Sequence, residues 1–109
     1  MFEVRRTAEF SEWLGALADI KARAAILARI LRLGRGNPGD VKSVGSGVSE
    51  LRIDVGPGYR AYYMRVGQQV LLMLGGGDKS SQAKDIRRVI KMADALRTTA
   101  KPAQPRRSK

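Results

Sequence analysis

Apolar and polar residues recur along this chain with two different periods. Phe2–Arg5 alternates weakly and predicts a short edge strand. Phe10, Trp13, Leu14 and Leu17 then recur at i, i+3, i+4 and i+7, one face of a helix. Thr7 stands where its N-cap belongs, and Glu9 and Glu12 face away from the stripe. Asp19 is placed to break this helix and cap a second, about Ile20–Leu33. The apolar stripe of the second helix reads as Leu27, Ile30, Leu31 and Ala24, with Gly34 as its stop. So short a break predicts an antiparallel helical hairpin.

From Leu51 the period changes to two. Leu51, Ile53 and Val55 alternate with Glu50, Arg52 and Asp54, and Tyr59, Ala61 and Tyr63 alternate with Arg60, Tyr62 and Met64. Gly56-Pro57-Gly58 and Gly67-Gln68-Gln69 supply tight turns. Val70–Leu74 has no polar member, as expected of a central strand covered on both faces, and Gly75–Gly77 reads as its end. Three strands joined by such turns predict an antiparallel meander. Ahead of it, Val41–Val44 reads as a short extended segment between the turns Asn37–Asp40 and Gly45–Gly47. Asp78 or Ser80 can cap a last helix, about Ser81–Leu96, with Ile86, Val89, Ile90, Ala93 and Leu96 as its stripe.

This order predicts an α+β, two-layer domain over residues 1–96, followed by a disordered basic tail, 97–109. The helices pack behind the sheet. Tyr59 and Tyr63 share the inward phase with Leu51 and Ile53, whereas Arg52, Arg60 and Tyr62 look outward from an open face.

Composition narrows the chemistry. With 109 residues there is room for one domain with a modest core. No cysteine and no histidine is present, which removes disulfides, thiolate metal sites and the usual general base near neutral pH. The acids Glu50, Asp54, Asp78 and Asp85 are scattered without metal-ligand spacing, so no metal and no cofactor is expected. The net charge of +11 favours polyanionic partners through phosphate contacts and counterion release. Arg97, Lys101, Arg106, Arg107 and Lys109 place five cations in the tail. Glu3, Arg5 and Arg6 interrupt any secretory apolar region, and Val70–Leu74 is too short to span a bilayer, so a cytoplasmic protein is expected. Gly56-Pro57-Gly58 and Gly75–Gly77 complete no phosphate-loop fingerprint and read as turns.

Asn37, Gly39, Asp40, Lys42, Glu50–Ile53, Gly56–Arg60, Tyr62, Tyr63 and Asp78–Gln82 together resemble the RelE/ParE superfamily of toxins from type II toxin–antitoxin modules. The nearest branch is the HigB-like addiction-module killer proteins, and the resemblance spans roughly residues 2–95. It implies a RelE-like fold and a metal-independent endoribonuclease that cleaves mRNA, usually on the ribosome, and thereby stops translation. The RNA's own 2′-hydroxyl attacks the adjacent phosphate. It implies also a cognate antitoxin, commonly of the helix-turn-helix type. ParE-like relatives share the fold and inhibit DNA gyrase by binding it, which is the alternative; a non-catalytic RNA-binding module is a third.

Internal transesterification of RNA needs a base near the 2′-hydroxyl, positive charge around the phosphorane and a proton for the leaving 5′-oxygen. Arg60 and Arg52, in the outward phase, are candidates for the charge, and Arg60 also matches the arginine of the family's G-x-YR strand. Lys79 and Lys42 are candidates for proton transfer or further charge; Lys79 follows the strand end where RelE-like toxins carry a basic residue. Tyr62 could stack on a base, and Arg32 and Arg35 could extend a basic rim, while Arg23 and Arg29 read as a solvated helix face. Glu50 reads as orienting Arg52 and Asp78 as a helix cap. The chain departs from better-known members in having no histidine and no tyrosine at the end of its last helix.

Overall fold

The computed structural model describes residues 1–100. Its elements run β1 (Glu3–Arg6), α1 (Ala8–Ala16), α2 (Ile20–Gly34), β2 (Val41–Gly45), β3 (Val48–Ile53), β4 (Tyr59–Gly67), β5 (Val70–Asp78) and α3 (Gln82–Ala100), with a single 3-10 turn, Lys79–Ser81, leading into α3. The α+β class, the edge strand, the paired helices, the meander and the final helix are all present. Local chemistry sets the helix starts. Thr7 Oγ1 accepts from Phe10 N at 3.0 Å and donates to Leu74 O at 2.9 Å, so the cap of α1 is also tied to β5. Asp19 Oδ1 accepts from Lys21 N and Ala22 N.

The sheet order is β1-β5-β4-β3-β2. β3, β4 and β5 pair antiparallel, β2 adds a second edge to β3, and β1 lies parallel to β5 from Glu3↔Val70 to Arg6↔Met73. The extended segment foreseen at Val41–Val44 is therefore a sheet strand. β5 continues through the three glycines to Asp78, pairing Gly75, Gly76 and Gly77 with Tyr62, Ala61 and Arg60. They do not end the strand as expected. Their missing Cβ atoms make room for side chains: one at Gly76 would overlap the Trp13 ring, and one at Gly77 the Asp85 carboxylate. Leu74 is the extra residue of a bulge opposite Tyr62 and Tyr63.

Both faces of the sheet are covered. Phe10 and Leu14 of α1 and Ala22, Ile26, Ile30 and Leu33 of α2 pack on Leu51, Ile53, Tyr59, Ala61, Leu71 and Met73. On the other face Val89 and Ala93 of α3 pack on Val48, Tyr62, Met64 and Leu74. The face expected to be open is thus half roofed by α3, whose stripe has no other apolar surface left to bury. The inward row of α2 is also corrected. Leu27 and Leu31 remain 42% and 59% exposed, because the hairpin presents Ala22, Ile26, Ile30 and Leu33 to the sheet. Val55 lies beyond β3 and is exposed, and α3 runs past Leu96 to Ala100 rather than ending there. The rest of the expected tail, 101–109, lies outside the described residues. Among the described residues no helix is long and apolar enough to cross a membrane.

Candidate functional site

Residues directly opposite one another in antiparallel strands share a face of the sheet. The register places Lys42, Glu50, Tyr62 and Gly75 in one cross-strand row and Arg52, Arg60 and Gly77 in the next. These rows lie on the face roofed by α3: Gln82 reaches Glu50 in the first row, and the Gly77 end of the second lies under Asp85. Glu50 is fully buried and organises both. Its Oε1 accepts from Arg52 Nε at 3.1 Å and stands 4.0 Å from Arg60 Nε; its Oε2 accepts from Gln82 Nε2, in the first turn of α3, at 2.8 Å.

The two arginines differ in freedom. The Arg52 side chain is 32% exposed, while that of Arg60 is 12% exposed, with Nη1 donating to Tyr59 O. Arg60 Nε is buried without a hydrogen-bond partner and is held by the Glu50 charge alone. Lys79 joins the cluster through Gly58. Its backbone N–H donates to Gly58 O at 2.8 Å, and a Cβ at Gly58 would stand 3.6 Å from Arg60 Nη1 and 3.7 Å from Lys79 Cβ. Gly58 has φ +85°, which suits glycine, and the Lys79 stem and the Arg60 guanidinium both lie next to it. Asp78 Oδ1 accepts from Ser80 N at 2.8 Å, capping the turn that carries Lys79. The Ser80 hydrogen bonds lower the Asp78 pKa. One buried carboxylate faces Arg52 and Arg60, with Lys79 and Lys42 exposed beside them, so the cluster keeps a positive excess directed outward.

Tyr62 has no such role. It is buried beneath α3, so neither ring face is free to stack on a base. Its hydroxyl has no hydrogen-bond partner, and burial, followed by the nearby Glu50 charge, pushes its pKa up. Tyr59 is buried on the hairpin side, as expected, and Tyr63 is half-buried there. Arg29, expected to be solvated, is a backbone clamp. Its guanidinium donates to the carbonyls of Arg52, Pro38 and Asp40, fixing the turn before β2 against the end of β3. Arg32 lies against the same turn at Gly39. Arg35 is elsewhere, lining a groove with Met1, Phe2 and Leu31, and does not extend the arginine cluster. Gln82 is the member sequence reasoning missed; only the register of α3 over β3 brings it to Glu50. Among the described residues no group of three or more acidic side chains is placed to hold a metal ion.

Fold and cluster define a small α+β protein with a cationic surface anchored on one buried carboxylate. Residues 12–98 match the family described as Phage derived protein Gp49-like (DUF891). A Haemophilus influenzae protein, described as uncharacterized, is 46% identical over 94 residues, covering 86% of this chain and 95% of its own length. The chain belongs to the Gp49-like family, an addiction-module killer family of the RelE-like toxin kind.

Proposed function

We propose that this toxin-type protein is an mRNA endoribonuclease of the HigB-like branch, acting without a metal and most effectively on ribosome-bound message, and that a cognate antitoxin of helix-turn-helix type neutralises it. The observation that carries this is the joint attachment of Arg52 and Arg60 to the buried Glu50, with Lys79 alongside. In the step proposed, the 2′-oxygen forms a bond to phosphorus and the bond to the 5′-oxygen breaks, leaving a cyclic phosphate. Arg60 and Arg52 contact the non-bridging oxygens, whose charge grows in the transition state, so their pull is stronger there than in the ground state. The 2′-hydroxyl proton leaves to a phosphate oxygen, and the 5′-oxygen takes a proton from a lysine ammonium, which the phosphate proton then restores; Lys79 and Lys42 flank the arginines on the two sides. Glu50 is engaged by Arg52 and Gln82 and serves to orient.

Arg60→Ala should lower cleavage about 10²- to 10³-fold, the effect of losing one preorganised donor to a developing oxyanion, and should relieve growth arrest while the protein stays folded. Mapping mRNA 5′ ends by primer extension after brief induction tests this. Undiminished cutting by Arg60→Ala, or a DNA-damage response preceding any mRNA cut, would favour gyrase inhibition instead.

A further inference from the structure

Where β1 stops, the edge of β5 is open. β1 pairs only as far as Arg6↔Met73, and Thr7 then engages Met73 O and Leu74 O. Beyond the bulge, antiparallel pairs alternate between bonded and non-bonded, and Lys79 N–H donates to Gly58 O. Gly77 is therefore bonded to Arg60, and Gly76 turns its N–H and C=O to the open edge. Gly76 is buried, and among the described residues nothing outside the sheet bonds to it. Buried backbone groups nearly always have a partner. A cavity of about 360 Å³ lies here, walled by Trp13 and Tyr59 on one side and by Asp85 and Arg88 on the other. That is near the lower end of small-ligand sites, roughly 300–1,000 Å³, and suits a single flat ring system. The Trp13 ring covers Gly76 and stands edge-on to Tyr59, with centroids 6.4 Å apart. Asp85 is spent internally, accepting from Ser81 Oγ at 2.5 Å and Arg88 Nη1 at 2.6 Å. Arg88 Nε also donates to Glu9 Oε2 at 2.6 Å, bridging α3 to α1 past Gly75. Glu9 Oε1 accepts from no described residue. Three acids, Glu9, Asp78 and Asp85, line the cavity against the single cation Arg88, in a chain of net charge +11.

We infer that this cavity takes a guanine base of the RNA, beside a phosphate held by Arg52 and Arg60. The inference rests on the nuclease proposal for the polymer and deepens it with a specificity site. Gly77 is the cross-strand partner of Arg60 and Asp78 precedes Lys79, so the cavity opens next to the cationic cluster. Gly76 N–H matches guanine O6 and Gly76 C=O matches N1–H, the pairing a neighbouring strand would otherwise supply. The free Glu9 oxygen then accepts from the N2 amine. Uracil offers the same first two groups but an acceptor, O2, in third place, against a carboxylate. Hypoxanthine and adenine have no amine at that carbon, which leaves Glu9 unpaired. An added protein strand is the poorer occupant. Thr7 and the Glu9–Arg88 bridge close the edge before Gly76, and the 3-10 turn begins at Lys79, so one bonding residue is left where a strand needs several.

The test reads binding apart from cleavage. Labelled single strands of 2′-fluoro RNA, which have no 2′-hydroxyl to attack, carry one guanosine, inosine or adenosine among uridines. By fluorescence anisotropy the full chain should bind the guanosine strand about tenfold more tightly than the other two, the effect of one hydrogen bond to a charged acceptor. Glu9→Ala should bind the guanosine and inosine strands equally, with an unchanged salt slope, because no phosphate contact is lost. If Glu9→Ala misfolds, Glu9→Gln serves in its place and should at least halve the ratio. Equal binding of the guanosine and inosine strands by the parent, or a ratio unchanged in the variant, would overturn the inference. So would displacement of the guanosine strand by an extended valine–threonine peptide, which would assign the edge to a protein strand. A chain that cuts no mRNA yet keeps the ratio fails the nuclease proposal alone; one that cuts mRNA without the ratio fails this inference alone.

Discussion

Glu50 and Tyr62 stand opposite each other on neighbouring strands, both buried, and their chemistry predicts opposite responses to substitution. Glu50 compensates two guanidiniums. Glu50→Gln keeps the shape and removes the charge, leaving Arg60 Nε buried with nothing to offset it. The expected loss is about 1–3 kcal/mol by urea unfolding, limited because Arg52 can rehydrate. Cleavage should fall as well, since neither arginine keeps its anchor. Tyr62→Phe removes a buried hydroxyl that lies beside the Glu50 carboxylate without a well-formed hydrogen bond to it, so at neutral pH stability should change by less than about 0.5 kcal/mol. Its effect belongs at alkaline pH. The folded pKa of Tyr62 is raised, so the native state holds that proton more tightly than the unfolded chain does. The stabilising contribution is complete below the unfolded tyrosine value, near about 10, and is lost as pH rises through and beyond it. Tyr62→Phe should therefore flatten the alkaline limb of a melting-temperature profile relative to the parent, leaving the part due to Tyr63, whose pKa burial also raises.

At the scale of elements, two glycines separate packing from propensity. Gly76 lies on β5 under the Trp13 ring, and a methyl there has no room, so Gly76→Ala should cost about 1–3 kcal/mol or more through overpacking. Gly15 lies in α1 with nothing within 4 Å of a Cβ, and Gly15→Ala should stabilise by up to about 1 kcal/mol. Denaturant midpoints of the two variants check both signs. The same contrast explains what was legible in the sequence. Thr7, Asp19 and Asp78 could be read as caps because a cap is chemistry between near neighbours. The meander was legible because its turns are short and its phase is strict. The wall of α2 that meets the sheet was not, because Ala22–Ile26–Ile30–Leu33 and Ile20–Ala24–Leu27–Leu31 are both apolar rows, and only the hairpin's docking angle chooses between them. Nor was the parallel pairing of β1 with β5, which joins residues far apart in sequence. The Arg52–Arg60 half of the site could be read from phase. Tyr62 could not, because its phase mixes arginines at one end with Val48 and Met64 at the other, and Val89 and Ala93 of α3 pack on the apolar end, Tyr62 included.

At the scale of the whole molecule, charge falls in three places with different work to do. The arginine cluster is anchored on Glu50, and in the proposed reaction it would contact phosphate. Arg6, Arg23 and Arg35 border an apolar groove along α2. Lys101, Arg106, Arg107 and Lys109 follow the described residues and contribute to the long-range field. Contacts that neutralise phosphates release counterions, by roughly 0.7 in the logarithmic salt slope for each phosphate on a single strand. Ending the chain after Ala100 removes those four cations. The slope for a labelled single-stranded RNA, followed by fluorescence anisotropy, should then become shallower by up to about 3. Cleavage positions should stay the same, because Arg52, Arg60 and Lys79 are untouched. Arg60→Ala should do the reverse, stopping cleavage while changing the slope by less than about 1, the share of a single phosphate contact. An equal slope with and without residues 101–109 would show that the tail makes no phosphate contact, and the polyanion affinity of this chain would then reside in the folded body alone.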